Sequence, residues 1–146
     1  MKSIYAIFLV FTLWGCKSDD CEGMLASTGP AGFSFTLVDA FTGENLFTNG
    51  TYSPEQISIV TDENQELEYL YHSEPGFDLS FISVDLGFDE QAGNAYVKSE
   101  NDTLFSFYFE TKMSHEKCFS NISLKDIEFS VDSEPGYESG IYKIKL

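Results

Sequence analysis

The segment Leu104-Phe105-Ser106-Phe107-Tyr108-Phe109-Glu110 decides the fold class. Phe105, Phe107 and Phe109 stand two apart, with Ser106 and Tyr108 between them. Side chains of an extended strand alternate between two faces, so all three rings share one face. A helix would scatter positions two apart around its axis. The segment therefore predicts a half-buried β-strand.

The same period recurs on both sides. Phe33, Phe35 and Leu37 alternate with Ser34 and Thr36, and Ile57 and Ile59 with Gln56 and Ser58. Leu67, Tyr69 and Tyr71 alternate with Glu68 and Leu70, and Ala95 to Lys98 reads as a short strand. Ile127, Phe129 and Val131 alternate with Glu128 and Ser130. Tyr142, Ile144 and Leu146 alternate with Lys143 and Lys145. The run from Asp78 to Leu86 shifts its apolar phase between Phe81 and Ile82, which predicts a β-bulge. Turn chemistry separates the runs at Thr42-Gly43-Glu44-Asn45 and Asp62-Glu63-Asn64-Gln65. No window sustains a helical period, and Ser120 to Asp126 has room for one helical turn at most. Roughly eight or nine strands of this kind predict an all-β chain. Alternation, rather than continuous apolar runs, favours an antiparallel β-sandwich, immunoglobulin-like or transthyretin-like.

One short repeat stands out. Ser73-Glu74-Pro75-Gly76-Phe77-Asp78 matches Ser133-Glu134-Pro135-Gly136-Tyr137-Glu138. Pro followed by Gly suits the two central positions of a type II turn, so two such turns are expected. They either form one binding edge or simply reuse good turn chemistry.

Composition limits function. The 146 residues carry eight Lys, no Arg and 24 Asp plus Glu, for a formal net charge of −16. Such a surface repels phosphate backbones, so nucleic acid is excluded as a partner. Aromatic content of 16% supplies a large core-forming payload and excludes disorder for the bulk of the chain. Residues 16–31 are small and polar and read as a tether, leaving residues 32–146 as one domain.

The first sixteen residues differ from all of this. Met1-Lys2-Ser3 is followed by an apolar run from Ile4 to Leu13, and then by Trp14-Gly15-Cys16. A short positive start, an apolar run of this length and a small residue before the cut mark a signal peptide. The run is too short for the roughly 20 residues that span a bilayer. Leu13, Gly15 and Cys16 resemble the lipobox of bacterial lipoproteins, although Trp14 stands where that pattern has a small residue. The resemblance implies removal of residues 1–15 and acylation of Cys16. Lys17-Ser18-Asp19-Asp20 resembles the short acidic export signals of Bacteroidota surface lipoproteins. Together they imply a lipid-anchored protein of the cell envelope, at the outer membrane and its surface.

Cys21 and Cys118 remain. In an oxidising compartment they are expected to form a disulfide. Closing a loop of about 100 residues is worth roughly 4–5 kcal/mol in the loop-entropy model. Two free thiols are the alternative. A second resemblance rests on Val38-Asp39-Ala40-Phe41-Thr42-Gly43-Glu44-Asn45-Leu46. It is similar to the opening of carboxypeptidase-regulatory-like, transthyretin-like sandwich domains, and implies a sandwich without catalysis.

Chemistry is sparse. His72 and His115 are the only histidines, and neither lies in a catalytic motif. A Cys118–His115 nucleophile pair has no signature, so a small hydrolase is a remote alternative, and no cofactor is expected. Asp85, Asp89 and Glu90, or Glu100, Asn101 and Asp102, offer oxygen ligands for calcium, without EF-hand spacing. Tyr69, Tyr71 and Tyr137, with Tyr52 and Tyr108, are candidate platforms for a glycan or an envelope protein. The expected function is a non-enzymatic binding or structural module, with a calcium- or glycan-binding accessory domain as the alternative.

Overall fold

The computed structural model describes residues 29–74, 79–115 and 120–146. Cys16, Cys21 and Cys118 lie outside the described residues, as do the signal peptide and most of the tether. Among the described residues nine strands form two packed sheets: β1 (Gly32–Val38), β2 (Ile57–Thr61), β3 (Tyr69–Glu74), β4 (Leu79–Asp85), β5 (Ala92–Ser99), β6 (Asp102–His115), β7 (Ser120–Ser130), β8 (Gly136–Glu138) and β9 (Ile141–Lys145). The five-stranded sheet has the order β3-β4-β1-β9-β8, and the four-stranded sheet β2-β5-β6-β7. The chain is an all-β sandwich. Packing begins at Ala31, which is buried and exchanges backbone hydrogen bonds with Leu86 and Gly87.

The alternating phenylalanines make the core. Phe105, Phe107 and Phe109 on β6 are 3%, 1% and 2% exposed. Their counterparts are Phe33 and Phe35 on β1, at the centre of the facing sheet. The Phe33 ring stands edge-on to Phe107 at 4.9 Å, and Phe35 edge-on to Phe105 at 5.2 Å. Phe129 on β7 and Tyr142 on β9 extend the stack at 4.8 Å. Each buried side chain of this size contributes about 1.5–3 kcal/mol, and edge-to-face pairs about 0.5–1.5 kcal/mol more.

Several expectations are corrected. β4 has no bulge: its pairing with β3 is continuous through Phe81 and Ile82, and its pairing with β1 shows no shift up to Ile82. Ile82 points into the core and Phe81 outward, so the apparent phase shift reflects apolar residues on both faces. Register shifts occur instead at Val97/Lys98 and Glu110/Thr111. Ser120 to Asp126 holds no helical turn, because it continues β7 along the long β6 ribbon. Leu46 and Phe47 are buried but lie outside any strand. One pair departs from the antiparallel pattern, since β1 and β9 run parallel. Alternation encodes which face is buried and says nothing of strand direction.

The second copy of the repeat also departs from its reading. Gly136 starts β8 and does not adopt positive φ, so Pro135-Gly136 is not a type II turn. The chain reverses later, at Ser139 (φ 52°) and Gly140 (φ 85°). Positive φ at both central positions is the geometry of a tight hairpin turn, which Gly140 accommodates without strain. In the first copy, Pro75 to Asp78 lies outside the described residues.

Candidate functional site on the outer face of the five-stranded sheet

Strand alternation places one set of residues on the solvent side of the five-stranded sheet. That set includes several apolar side chains among its polar ones. Leu70 on β3 is 68% exposed and Leu79 on β4 is 37% exposed. Phe81 lies beside them, with the His72 ring stacked on it at 4.7 Å. Next to them a hollow of about 520 Å³ is lined by Val38, Leu79, Phe81 and Ile141, with Glu74, Glu138 and Lys143 among its polar residues. Glu74 belongs to the first copy of the repeat and Glu138 to the second, so one residue of each copy lines this hollow. Lys143 pairs with Glu138, and its hydrogen bond and charge hold the Glu138 carboxyl below the usual range.

A buried polar cluster supports the floor. Asn45 bridges β1 and β4, where its side-chain amide donates to Thr36 Oγ1 at 3.0 Å and to the Ser80 carbonyl at 2.8 Å. Thr36 Oγ1 donates to the same carbonyl at 2.7 Å. Asn45 Oδ1 accepts from the backbone N–H groups of Phe47 and Thr48. The carboxamide is thus spent on internal bonds, which offset the cost of burying it. Just upstream, Asp39 Oδ1 accepts the N–H groups of Phe41 and Thr42 and so closes the loop leaving β1. Those backbone bonds lower the Asp39 pKa.

Two further hollows lie among the described residues. One, of about 270 Å³, lies on the same face at the start of β1, between Pro30, Gly32, Leu70 and Asp85. The other, of about 380 Å³, is polar and belongs to the four-stranded sheet, beside Glu90, Glu110, Lys112 and Lys125. There Lys125 and Glu110 pair at 2.7 Å, and the hydrogen bond raises the Lys125 pKa.

The sequence candidates are dispersed. Tyr69 is structural in its contacts: its hydroxyl lies 2.8 Å from the carbonyls of both Pro54 and Ile57, joining the two sheets. Burial, then the charges of Glu66 and Glu55, push its pKa up. Tyr71 packs edge-on to Phe47, and Tyr137 is 65% exposed with its ring 4.7 Å from Tyr142. Asp85 Oδ1 accepts the Gly87 N–H, and Glu90 Oε1 the Met113 N–H. Asp89 offers its backbone carbonyl to Thr111 Oγ1. Among the described residues no three His, Cys, Asp or Glu side chains converge where a metal ion could sit. His115 contacts Ser120 across the last rung of the β6–β7 ribbon at 2.8 Å, and both are exposed.

Leu70, Phe81 and Asn45 went unnoticed as site residues. Phe81 did leave a trace, the phase shift in its strand. Asn45 left none, because its partners Thr36 and Ser80 are distant in sequence. No family model, no curated protein and no solved structure matches this chain.

Proposed function

We propose that this chain is a lipid-anchored, non-enzymatic binding module of the cell envelope, held at the outer membrane through Cys16. Its ligand face is the outside of the five-stranded sheet. One observation carries the assignment: apolar side chains and a hollow of about 520 Å³ lie on a sheet face that solvation alone would keep polar. Hollows of roughly 300–1,000 Å³ that mix apolar walls with a few polar groups are the usual form of ligand sites. The geometry suits a tethered receptor. About 13 residues separate Cys16 from Gly29, a reach of at most roughly 45 Å. β1 then runs about 20 Å from the tether end to Val38, which lines the hollow. The larger hollow would therefore lie about 20 Å from the tether end. A Cys21–Cys118 disulfide would pin the tether to the domain.

Detergent-phase partition of the full chain tests the anchor. Wild type should partition with membranes and accumulate as precursor under globomycin, while Cys16→Ser should not be acylated. A mature wild-type protein without acyl chains would overturn the anchor. Non-reducing peptide mapping should join Cys21 to Cys118. For the face, thermal shift with defined oligosaccharides and peptides should find a stabilising ligand whose effect is lost in Phe81→Ser. A ligand effect that survives Phe81→Ser would move the site elsewhere.

A further inference from the structure

The four sheet edges are not equally guarded. β2 is covered by its own returning chain: Val60 bridges Glu66, the Thr61 N–H meets the Gln65 carbonyl at 2.8 Å, and the Leu67 N–H meets the Ile59 carbonyl at 2.9 Å. β8 is only three residues long. β7 carries Lys125, Asp126 and Glu128 and is interrupted by the register shift at Glu110/Thr111. Short edges, charged edges, bulges and covering segments are the devices that stop a sheet from recruiting a further strand.

Among the described residues β3 is the least guarded, its one charged residue being Glu74 at its last position. It pairs with β4 over six consecutive rungs without a shift. From Tyr69 to Ser73 it holds no charge and no proline. Among the described residues no strand lies on its other side. Leu70 and Tyr71 are exposed along it. The hollow of about 270 Å³ begins at its first residues, and Phe81 and Leu79 lie one strand inward. An open backbone edge beside side-chain pockets is the arrangement used for strand addition.

The charges around the edge select the occupant. Glu66, Glu68 and Glu74 bracket it, all exposed, and neither β3 nor β4 carries a lysine. A second copy of a chain with net charge −16 would bring like charges together. We infer that β3 is a docking edge for an extended, lysine-bearing polypeptide segment of another protein, which adds a sixth strand to the five-stranded sheet. The partner's backbone pairs with β3. Its alternate side chains reach over Leu70 toward Phe81, and its lysines meet the flanking carboxylates. This inference rests on the assignment of the same face as the ligand face and names its ligand as a peptide.

Selection of random decapeptides displayed against the mature chain tests it. The expected result is enrichment of proline-free sequences that alternate apolar residues with lysine. Synthetic versions should slow amide hydrogen exchange along Tyr69–Glu74. Leu70→Lys should weaken them about tenfold, equivalent to about 1.4 kcal/mol. Leu70→Thr, which leaves the edge uncharged, should retain most of the affinity. Lys125→Ala on the opposite sheet should change nothing. Failure to enrich, or binding that leaves β3 exchange unaltered, overturns the docking edge. An oligosaccharide that binds in the Phe81-dependent manner would then leave the binding face standing without it. A dimer of the mature chain that dissociates in Leu70→Lys would overturn the choice of occupant in favour of a second copy.

Discussion

The outsides of the two sheets follow different rules. On the four-stranded sheet, Ser106 and Glu110 on β6 and Glu128 and Ser130 on β7 face solvent between inward phenylalanines, with Tyr96 on β5 the aromatic exception. This is the pattern of an antiparallel sheet with one dry face and one wet face. On the five-stranded sheet, Leu70, Leu79 and Phe81 occupy the wet side. Two of the polar residues beside them, Thr36 and Asn45, are buried and internally bonded. An apolar residue out of phase can therefore mark a second surface to be covered rather than a bulge. Phe81 is that residue here.

The comparison can be broken at several points. Both sheets rest on one aromatic core, so Phe107→Ala should be the largest effect, about 3–5 kcal/mol in urea unfolding. A loss well below that range would mean that the sheets are stabilised separately. Asn45→Ala removes one of the two donors to the Ser80 carbonyl and the acceptor of two backbone N–H groups under the five-stranded sheet. Its expected cost is about 1–3 kcal/mol. Ser106→Ala, on the polar outside of the other sheet, should stay within about 0.5 kcal/mol. Equal costs would erase the distinction between the two faces.

Smaller effects sharpen it. Tyr69→Phe removes the hydroxyl that ties the edge of one sheet to the start of β2, and should cost about 0.5–1.5 kcal/mol by thermal melting. Leu70→Lys should leave stability within about 0.5 kcal/mol while raising the solubility limit, because it guards an open edge. The smallest effect belongs to Asp39. Its folded-state pKa is depressed by backbone donors, so its stabilisation is present above the ordinary value of 3.8 and is lost as pH falls through the depressed one. The difference in melting temperature between wild type and Asp39→Ala should shrink from neutral pH to about pH 2. A constant difference would mean that the loop is held by packing alone.

Much of the core was legible. Phe33, Phe35, Leu37, Ile57, Ile59, Phe105, Phe107, Phe109 and Ile144 are all buried as their alternation requires. The loop after β1 and the turn at Asp62 to Gln65 also lie where Gly, Asn and Asp predict. Strand ends were less legible. β6 continues to His115 and β7 starts at Ser120, because a partner strand extends pairing through residues with weak intrinsic preference. The candidate site was hardly legible. Glu74 and Glu138 share one hollow only because β4, β1 and β9 set β3 and β8 on opposite edges of one sheet.

By itself the sequence determined that the chain forms strands, which residues those strands bury and how acidic the surface is. Each is a local property, since alternation leaves one consistent way to hide the apolar set. Tertiary structure decided the rest: the parallel pairing of β1 with β9, the Asn45 bridge, the edge position of β3 among the described strands and the apolar side chains on the outer face. Each depends on which distant segments become neighbours, as when Ser34 meets Ile141. Backbone hydrogen bonds, the same for nearly every residue type, carry no local record of that choice.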